Sequence, residues 1–287
     1  MTATQEDTAS KLPAADWFTS LAATYSRQTG DSTANIFASL IPDIQSSPVP
    51  ISSSSRLHDV AAGPGTATSL LFRHTPSIQP QYVLVSDNTP AMVAGARQVL
   101  AGDYASEIEY KEMDAQDLSS LPDAGFSHCI VNFSIFLFPQ HVAVVQHLHR
   151  TLKPNGEGLA VITTWKRFAV VRIIHHAQSL IRPDGPRMPL PGLPFYEDGY
   201  LASVVASGGF DPAKTQVKMR ELIVKPETEQ YANLRNFMLG DFTKRAREGW
   251  TEEEQARWPE VIDQALKAEV DEHGGIKFEA WGVIAQT

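Results

Sequence analysis

From Arg56 to Trp165 the chain switches between two periodicities, and no other property of the sequence limits the fold as strongly. The apolar runs RLHDVA, YVLVSD, IEYKEMD, FSHCIVNFSIF and EGLAVITTW read as strands. Between them TATSLLFRHT, PAMVAGARQVLA and HVAVVQHLHRTL read as helices, the second with Pro90 near its start and the third stopped by Lys153-Pro154-Asn155-Gly156. Neighbouring parallel strands need a crossover between them, so this alternation predicts an α/β fold: a parallel sheet with helices on both faces.

The flanks are less regular. Residues up to about Leu12 are small and polar and predict an unstructured tail. WFTSLAATYSRQTGDSTANIFASLI reads as two short helices broken near Gly30, with Asp16 and Asp31 as N-caps, and the Ser/Pro-rich PDIQSSPVPISSSS follows as a linker. The expected division is therefore 1–50, a tail and helical arm acting as a lid, and 51–287, the body. After Trp165 come the helix RFAVVRIIHHAQSLI, a proline-rich stretch, the helix YLASVVASGGF and the strand TQVKMRELIV. Residues 227–273 read mostly as helix, and FEAWGVIAQT closes as a strand. Segments 166–200 and 227–273 are the expected cap.

With 43% hydrophobic and 20% charged residues, the chain suits a globular body able to bury a large core. The net charge of −9 lacks the basic face of a nucleic-acid binder, and the run Lys244-Arg245-Ala246-Arg247 reads as a solvated helix face. No apolar stretch is long enough for a membrane span, and the N-terminus lacks the charge and apolar core of a secretory signal, so a cytoplasmic location is expected. Cys129 is the only cysteine, which excludes a disulfide framework within the chain and leaves no cysteine-based metal site. It reads as a small buried hydrophobe.

The strand exits carry the chemistry. Asp59 ends the first strand, and Gly63 and Gly65 follow in DVAAGPGTAT, where small residues let backbone approach a ligand and open a helix. No Gly-Lys-Ser/Thr follows, so this is no Walker loop, and the third glycine of a dinucleotide fingerprint is missing. An acid ahead of the glycines repels a pyrophosphate and favours an amine or sulfonium. Asp87 ends the second strand, where its carboxylate can accept from a ribose diol or cap the next helix. Asn88 follows it, and Met92 is placed to lie on a flat base. Asp114 ends the third, with Ala115 offering a backbone N–H beside it.

These residues together resemble the class I S-adenosylmethionine-dependent methyltransferases, in particular the small-molecule branch related to ubiquinone/menaquinone C-methyltransferases. The acid-x-Gly-x-Gly-x-Gly motif of that family is similar to Asp59, Ala61, Gly63, Gly65 and Ala67, with alanine at two glycine positions. Asp87-Asn-Thr-Pro-Ala-Met92 resembles its acid loop, Asp114-Ala-Gln-Asp-Leu118 its adenine motif, and Leu148 to Gly156 the turn before its fifth strand. The resemblance implies a Rossmann-like seven-stranded sheet, six strands parallel and the last antiparallel. It implies S-adenosyl-L-methionine held by Asp59, Ala61, Gly63, Gly65, Asp87, Asn88, Met92, Asp114, Ala115 and Asn132, with Tyr25 and Arg27 covering the methionine end.

The implied activity is methyl transfer to a small-molecule acceptor by positioned in-line displacement, O- or C-methylation favoured, with secondary metabolism as the expected setting. The fourth strand runs into Asn132-Phe-Ser-Ile-Phe136, without the Asn/Asp-Pro-Pro-Tyr/Phe of enzymes that methylate adenine or glutamine, which argues against nucleic-acid acceptors. His141 and His176, with His175 beside it, are the candidate bases, each having packing or surface exposure as its ordinary alternative. Phe133, Phe138, Trp165, Trp17, Phe18, Phe195 and Tyr196 are candidates for an apolar acceptor pocket. The alternative function is a protein of this fold that binds S-adenosylmethionine without methyl transfer, as a cyclase or a partner in a complex. A nicotinamide dehydrogenase is disfavoured by the missing third glycine and the absence of a Tyr-x-x-x-Lys pair. No metal is expected, and the oligomer is a monomer or homodimer.

Overall fold

The computed structural model describes residues 29–102, 104, 106–190 and 192–287. Five strands alternate with helices as the periodicity predicts: β1 (Arg56–Val60), α2 (Thr66–His74), β2 (Tyr82–Asp87), α3 (Pro90–Val99), β3 (Glu107–Glu112), β4 (His128–Asn132), α4 (His141–Thr151) and β5 (Leu159–Arg167). Helix α1 (Ser32–Gln45) precedes them; α5 (Ala169–Ile181), α6 (Tyr200–Ser207), β6 (Thr215–Val224), α7 (Glu229–Leu239), α8 (Glu252–Ala256), α9 (Trp258–His273) and β7 (Ile276–Gln286) follow.

The strands form one seven-stranded sheet in the order β3-β2-β1-β4-β5-β7-β6. β1 to β5 pair in parallel, while β7 runs antiparallel to both β5 and β6, so six strands share one direction and the last opposes them. This is the Rossmann-like α/β fold expected. The chain runs outward from β1 through β2 to β3 and then crosses back to β4 on the other side of β1, which puts the topological switch point between the carboxyl ends of β1 and β4.

Alternating side chains along the strands feed two layers. On one face Leu57, Val83, Val85, Ile130 and Val161 pack against α1, α2 and α3; on the other Val60, Leu84, Val131, Ala160 and Ile162 pack against α4 and α6. Cys129 is fully buried among the second set, as its small apolar character predicts. A third cluster forms where α5, α7 and α9 close over Trp165, Phe278 and Ala280 of β5 and β7.

Two local features depart from the sequence reading. α1 continues through Pro42 to Gln45 instead of ending near Ile41. Its apolar stripe runs to Ile44, which is fully buried, and that packing outweighs the hydrogen bond lost at Pro42. Asp31 stands at the N-cap position, but it adopts the left-handed conformation at φ 53° and makes no side-chain cap bond. The first helix of the expected arm, with its cap Asp16, lies outside the described residues.

Candidate functional site

A cleft of about 270 Å³ opens at the carboxyl ends of β1, β2 and β4, over the switch point. The turn after β1 forms one wall with Ala61, Ala62, Gly63 and Pro64; Asp87, Asn88, Thr89 and Met92 come from the exit of β2; Asn132, Phe133 and Ser134 come from the exit of β4. Thr33 of α1, Thr66 of α2, Gln116, Leu137 and Phe138 complete it.

The backbone is strained where the two inner strands exit. Ala61 has φ 49° and Phe133 φ 54°, conformations that side-chain-bearing residues rarely adopt and that concentrate at functional sites. The Ala62 N–H donates to the Ser86 carbonyl at 2.9 Å and the Gly63 N–H to Asp87 Oδ2 at 2.9 Å, so the turn after β1 is clamped to the tip of β2. An added Cβ at Gly63 would have only Met92 Sδ within 4.0 Å, so the missing side chain leaves room in the cleft. Gly65 serves differently. It is left-handed at φ 76°, begins α2, and a Cβ there would come within 3.1 Å of Leu100 and 3.3 Å of Ala96. It therefore lets α2 pack on α3, and it is not in the cleft lining.

The acids differ in environment. Asp87 is nearly buried and lines the cleft, and its second oxygen accepts from the Thr89 N–H at 2.9 Å. Burial pushes its carboxyl above the usual range, against the lowering effect of the two amide bonds. Thr89, not Asp87, occupies the N-cap position of α3.

Asp59 is 1% exposed and lies beneath the turn, outside the lining. Its Oδ2 accepts from the Thr68 N–H at 3.1 Å and the Thr68 hydroxyl at 2.7 Å. It thereby caps the first turn of α2, which Gly65 cannot do for want of a side chain. Its Oδ1 is buried and unpartnered. Burial, reinforced by the neighbouring Asp87 charge, pushes the carboxyl up to about 7.

Asp114 stands two residues beyond the end of β3 rather than at its tip. It is exposed, and its Oδ1 closes a tight turn by accepting from the Gln116 N–H at 2.9 Å. Gln116 rather than Asp114 reaches the cleft lining, and Ala115 is buried behind it.

The candidate histidines stand outside the cleft lining. His141 begins α4, and its ring nitrogens lie 3.2 Å from the Phe138 carbonyl and 3.2 Å from the Tyr200 hydroxyl. A carbonyl only accepts, so Nδ1 carries a proton, and Nε2 is engaged by the Tyr200 hydroxyl. His176 is exposed on α5, and His175 donates to the Met188 carbonyl at 2.6 Å. None of the three lines the cleft, because α4 and α5 turn these positions toward the 193–196 and 188 segments instead.

Of the aromatics, Phe133 and Phe138 line the cleft, and Trp165 backs Phe133 with ring centres 4.1 Å apart. Phe195 packs with His141 and Tyr200, and Tyr196 against the third cluster. Tyr25, Arg27, Trp17 and Phe18 lie outside the described residues. Sequence reasoning missed Thr33, Gln116, Ser134 and the buried hydroxyl of Thr163, which sits at the centre of the β4 exit. Ser134 and Gln116, each next to two residues already singled out, carried a positional signal, and Thr33 and Thr163 carried none. Among the described residues no cluster of His, Cys, Asp and Glu could hold a metal ion, and no helix is long and apolar enough to cross a membrane.

Asp87 at a strand tip, the open face of Gly63 and buried Met92 fit a nucleoside, and a lining with an acid and no Lys or Arg does not fit a pyrophosphate. Comparison with known proteins agrees. Residues 58–156 match the methyltransferase domain family. The chain is 27% identical over 151 residues to trans-aconitate 2-methyltransferase from Escherichia coli (strain SE11), covering 52% of this chain and 56% of that protein. To the protein of the same name from Enterobacter sp. (strain 638) it is 29% identical over 188 residues, 64% of this chain and 66% of that one. The chain thus spans little more than half the length of the first of these curated relatives. Among solved structures, the YcgJ protein from Bacillus subtilis has a TM-score of 0.53 at 14% identity, covering 87% of this chain and 97% of that chain. The MccD protein gives 0.52 at 14% identity, covering 88% and 96%. The matched domain runs from β1 to the turn before β5, across all the strands whose exits build the cleft, so the part of the chain that builds the cleft is similar to the methyltransferase domain family.

Proposed function

We propose that this chain binds S-adenosyl-L-methionine in the cleft over β1, β2 and β4 and transfers its methyl group to a small-molecule acceptor, with O- or C-methylation favoured. The observation that carries the proposal is Asp87, a nearly buried carboxylate in the cleft wall whose oxygens accept from Gly63 and Thr89 and still keep lone pairs for a ribose diol. Met92 would pack on the base, Asn88 would serve the ribose beside Asp87, and the Asp114–Gln116 turn would hold the edge of the base. The Ala61–Gly63 turn would hold the methionine portion, with the Asp59 carboxyl beneath that turn and Asn132 on the β4 side of the cleft. The curated relatives carry the name of a small-molecule acceptor, trans-aconitate, which supports the class of acceptor.

When bound, the cofactor supplies an electrophilic sulfonium methyl. The chain's contribution is position: clamped β1 and β2 exits fix one reactant, and the β4 exit with Phe133, Leu137 and Phe138 offers an apolar seat for the other. Isothermal titration with S-adenosylmethionine tests the reading. Asp87→Ala is expected to weaken binding on the order of a hundredfold, the loss of hydrogen bonds to a buried charged group. Asp87→Asn, which keeps acceptor capacity on one oxygen, is expected to lose less. Equal affinity of Asp87→Ala and the parent would overturn the ribose assignment.

A further inference from the structure

The exit of β4 holds a set of hydrogen-bonding groups separate from those that Asp87 and the Ala61–Gly63 turn provide. The Thr163 hydroxyl, fully buried on β5, accepts from the Phe133 N–H at 2.9 Å and lies 2.8 Å from Asn132 Oδ1. A hydroxyl has one proton. Were the Asn132 amide turned the other way, Thr163 would accept two N–H bonds and leave its own buried proton unpaired, which is costly. Thr163 therefore donates to Asn132 Oδ1, and the Asn132 NH2 is turned away from β5. Asn132 lines the cleft. Two residues on, Ser134 also lines the cleft, is 7% exposed, and its hydroxyl is buried without a partner. The left-handed Phe133 between them carries the chain around this corner, and its N–H is the one Thr163 holds.

We propose that the Asn132 amide and the Ser134 hydroxyl, oriented by Thr163, form the acceptor-binding pair of this cleft, and that they take an anionic oxygen, a carboxylate or a phenolate, on an apolar body. The amide oxygen is taken by Thr163, which leaves Asn132 two free donors, and the unpartnered Ser134 hydroxyl adds a third; three donors suit an acceptor-rich oxygen. Phe133, Leu137 and Phe138 supply the apolar wall for the rest of the molecule. The pair belongs to the β4 side of the switch point, whereas Asp87, Asn88 and Met92 hold the β2 side. An oxygen that arrives deprotonated also matches the placement of His141 and His176 outside the cleft. Its lone pair forms the new O–CH3 bond, the S–CH3 bond breaks with its electron pair kept by sulfur, and no proton moves. Thr163 acts here as a positioning residue.

The inference rests on the methyl-transfer reading, and the test separates the two. The probes are trans-cinnamate, 4-nitrophenolate and cinnamylamine, titrated calorimetrically into the full chain saturated with S-adenosylhomocysteine. The expected result is binding of cinnamate or nitrophenolate, whichever arm identifies the oxygen group, at least tenfold tighter than the amine. Ser134→Ala and Thr163→Val should each weaken that binding about tenfold, one hydrogen bond to a charged group, and Thr163→Ser should restore it. The affinity for S-adenosylhomocysteine should change less than twofold in Ser134→Ala and Thr163→Ser. Failure of S-adenosylhomocysteine to bind the parent chain overturns the methyl-transfer reading. Retained cofactor binding with neither anionic probe bound, or with probe binding indifferent to Ser134→Ala, overturns the donor pair alone.

Discussion

Asp59 and Asp87 show how far a residue's type leaves its work open. Both are aspartates near the end of a parallel strand, both are buried, and both have carboxyls raised by that burial. Yet Asp87 faces the cleft, while Asp59 spends one oxygen on the first turn of α2 through Thr68. Their presence at the strand ends was legible in the sequence. Their division of labour was not, because it depends on which backbone amides face each carboxylate. Thr68→Val is expected to leave the Asp59 carboxylate with the amide bond alone and to destabilise the fold by about 1–3 kcal/mol, read from denaturant midpoints. An unchanged midpoint would mean that the cap contributes nothing measurable. The histidines stand outside the cleft for a related reason: a sequence position after a strand says little about which wall a helix presents it to.

At the scale of elements, the alternating pattern from Arg56 to Trp165 fixed the strands and crossovers because each has its own period. The irregular second half owes its place to contacts between distant segments. Arg167 at the end of β5 makes a two-point bond with Glu269 of α9, at 2.7 and 2.9 Å, and Glu269 Oε1 also accepts the Lys277 N–H of β7 at 3.1 Å. Both side chains are nearly buried, so removing one partner strands the other's charge. Glu269→Ala is expected to cost roughly 3–5 kcal/mol and lower the melting temperature by scanning calorimetry, with Glu269→Gln costing less. A loss near zero would show that water reaches Arg167 freely. Gly65→Ala probes the α2–α3 junction in the same way. Left-handed backbone and the close Leu100 contact predict a loss of about 1–3 kcal/mol, with cofactor affinity following only as far as the turn moves.

At the scale of the whole molecule, buried titratable groups set the response to pH. Burial holds His58 down to about 3 and His128 down to about 4, against an ordinary value of 6.5. Their unfolded forms bind protons first, so the stability they contribute is present above about pH 6.5 and is lost as pH falls toward those values. Asp59 works in the opposite direction. Its folded carboxyl at about 7 lies above the unfolded value of 3.8, so its contribution is full below that value and is lost as pH rises through about 7. Asp59→Asn removes that loss. The melting temperature of the variant minus that of the parent should therefore climb between about pH 4 and 7 and level off above, and a flat difference would mean that Asp59 titrates as an ordinary carboxyl.

The sequence by itself determined the α/β class, the order of its crossovers and the short segments from which the cleft is built, because strand and helix periods and turn chemistry are local. Only the tertiary structure decided which of those residues meet: it set Asp87 against Gly63, put Gln116 rather than Asp114 at the cleft, withdrew His141 and His176, and brought Thr163 under Asn132 and Phe133. Those relations join strands far apart in sequence, and they follow from sheet order and register, which arise from the burial of whole faces together and leave no mark at any single position.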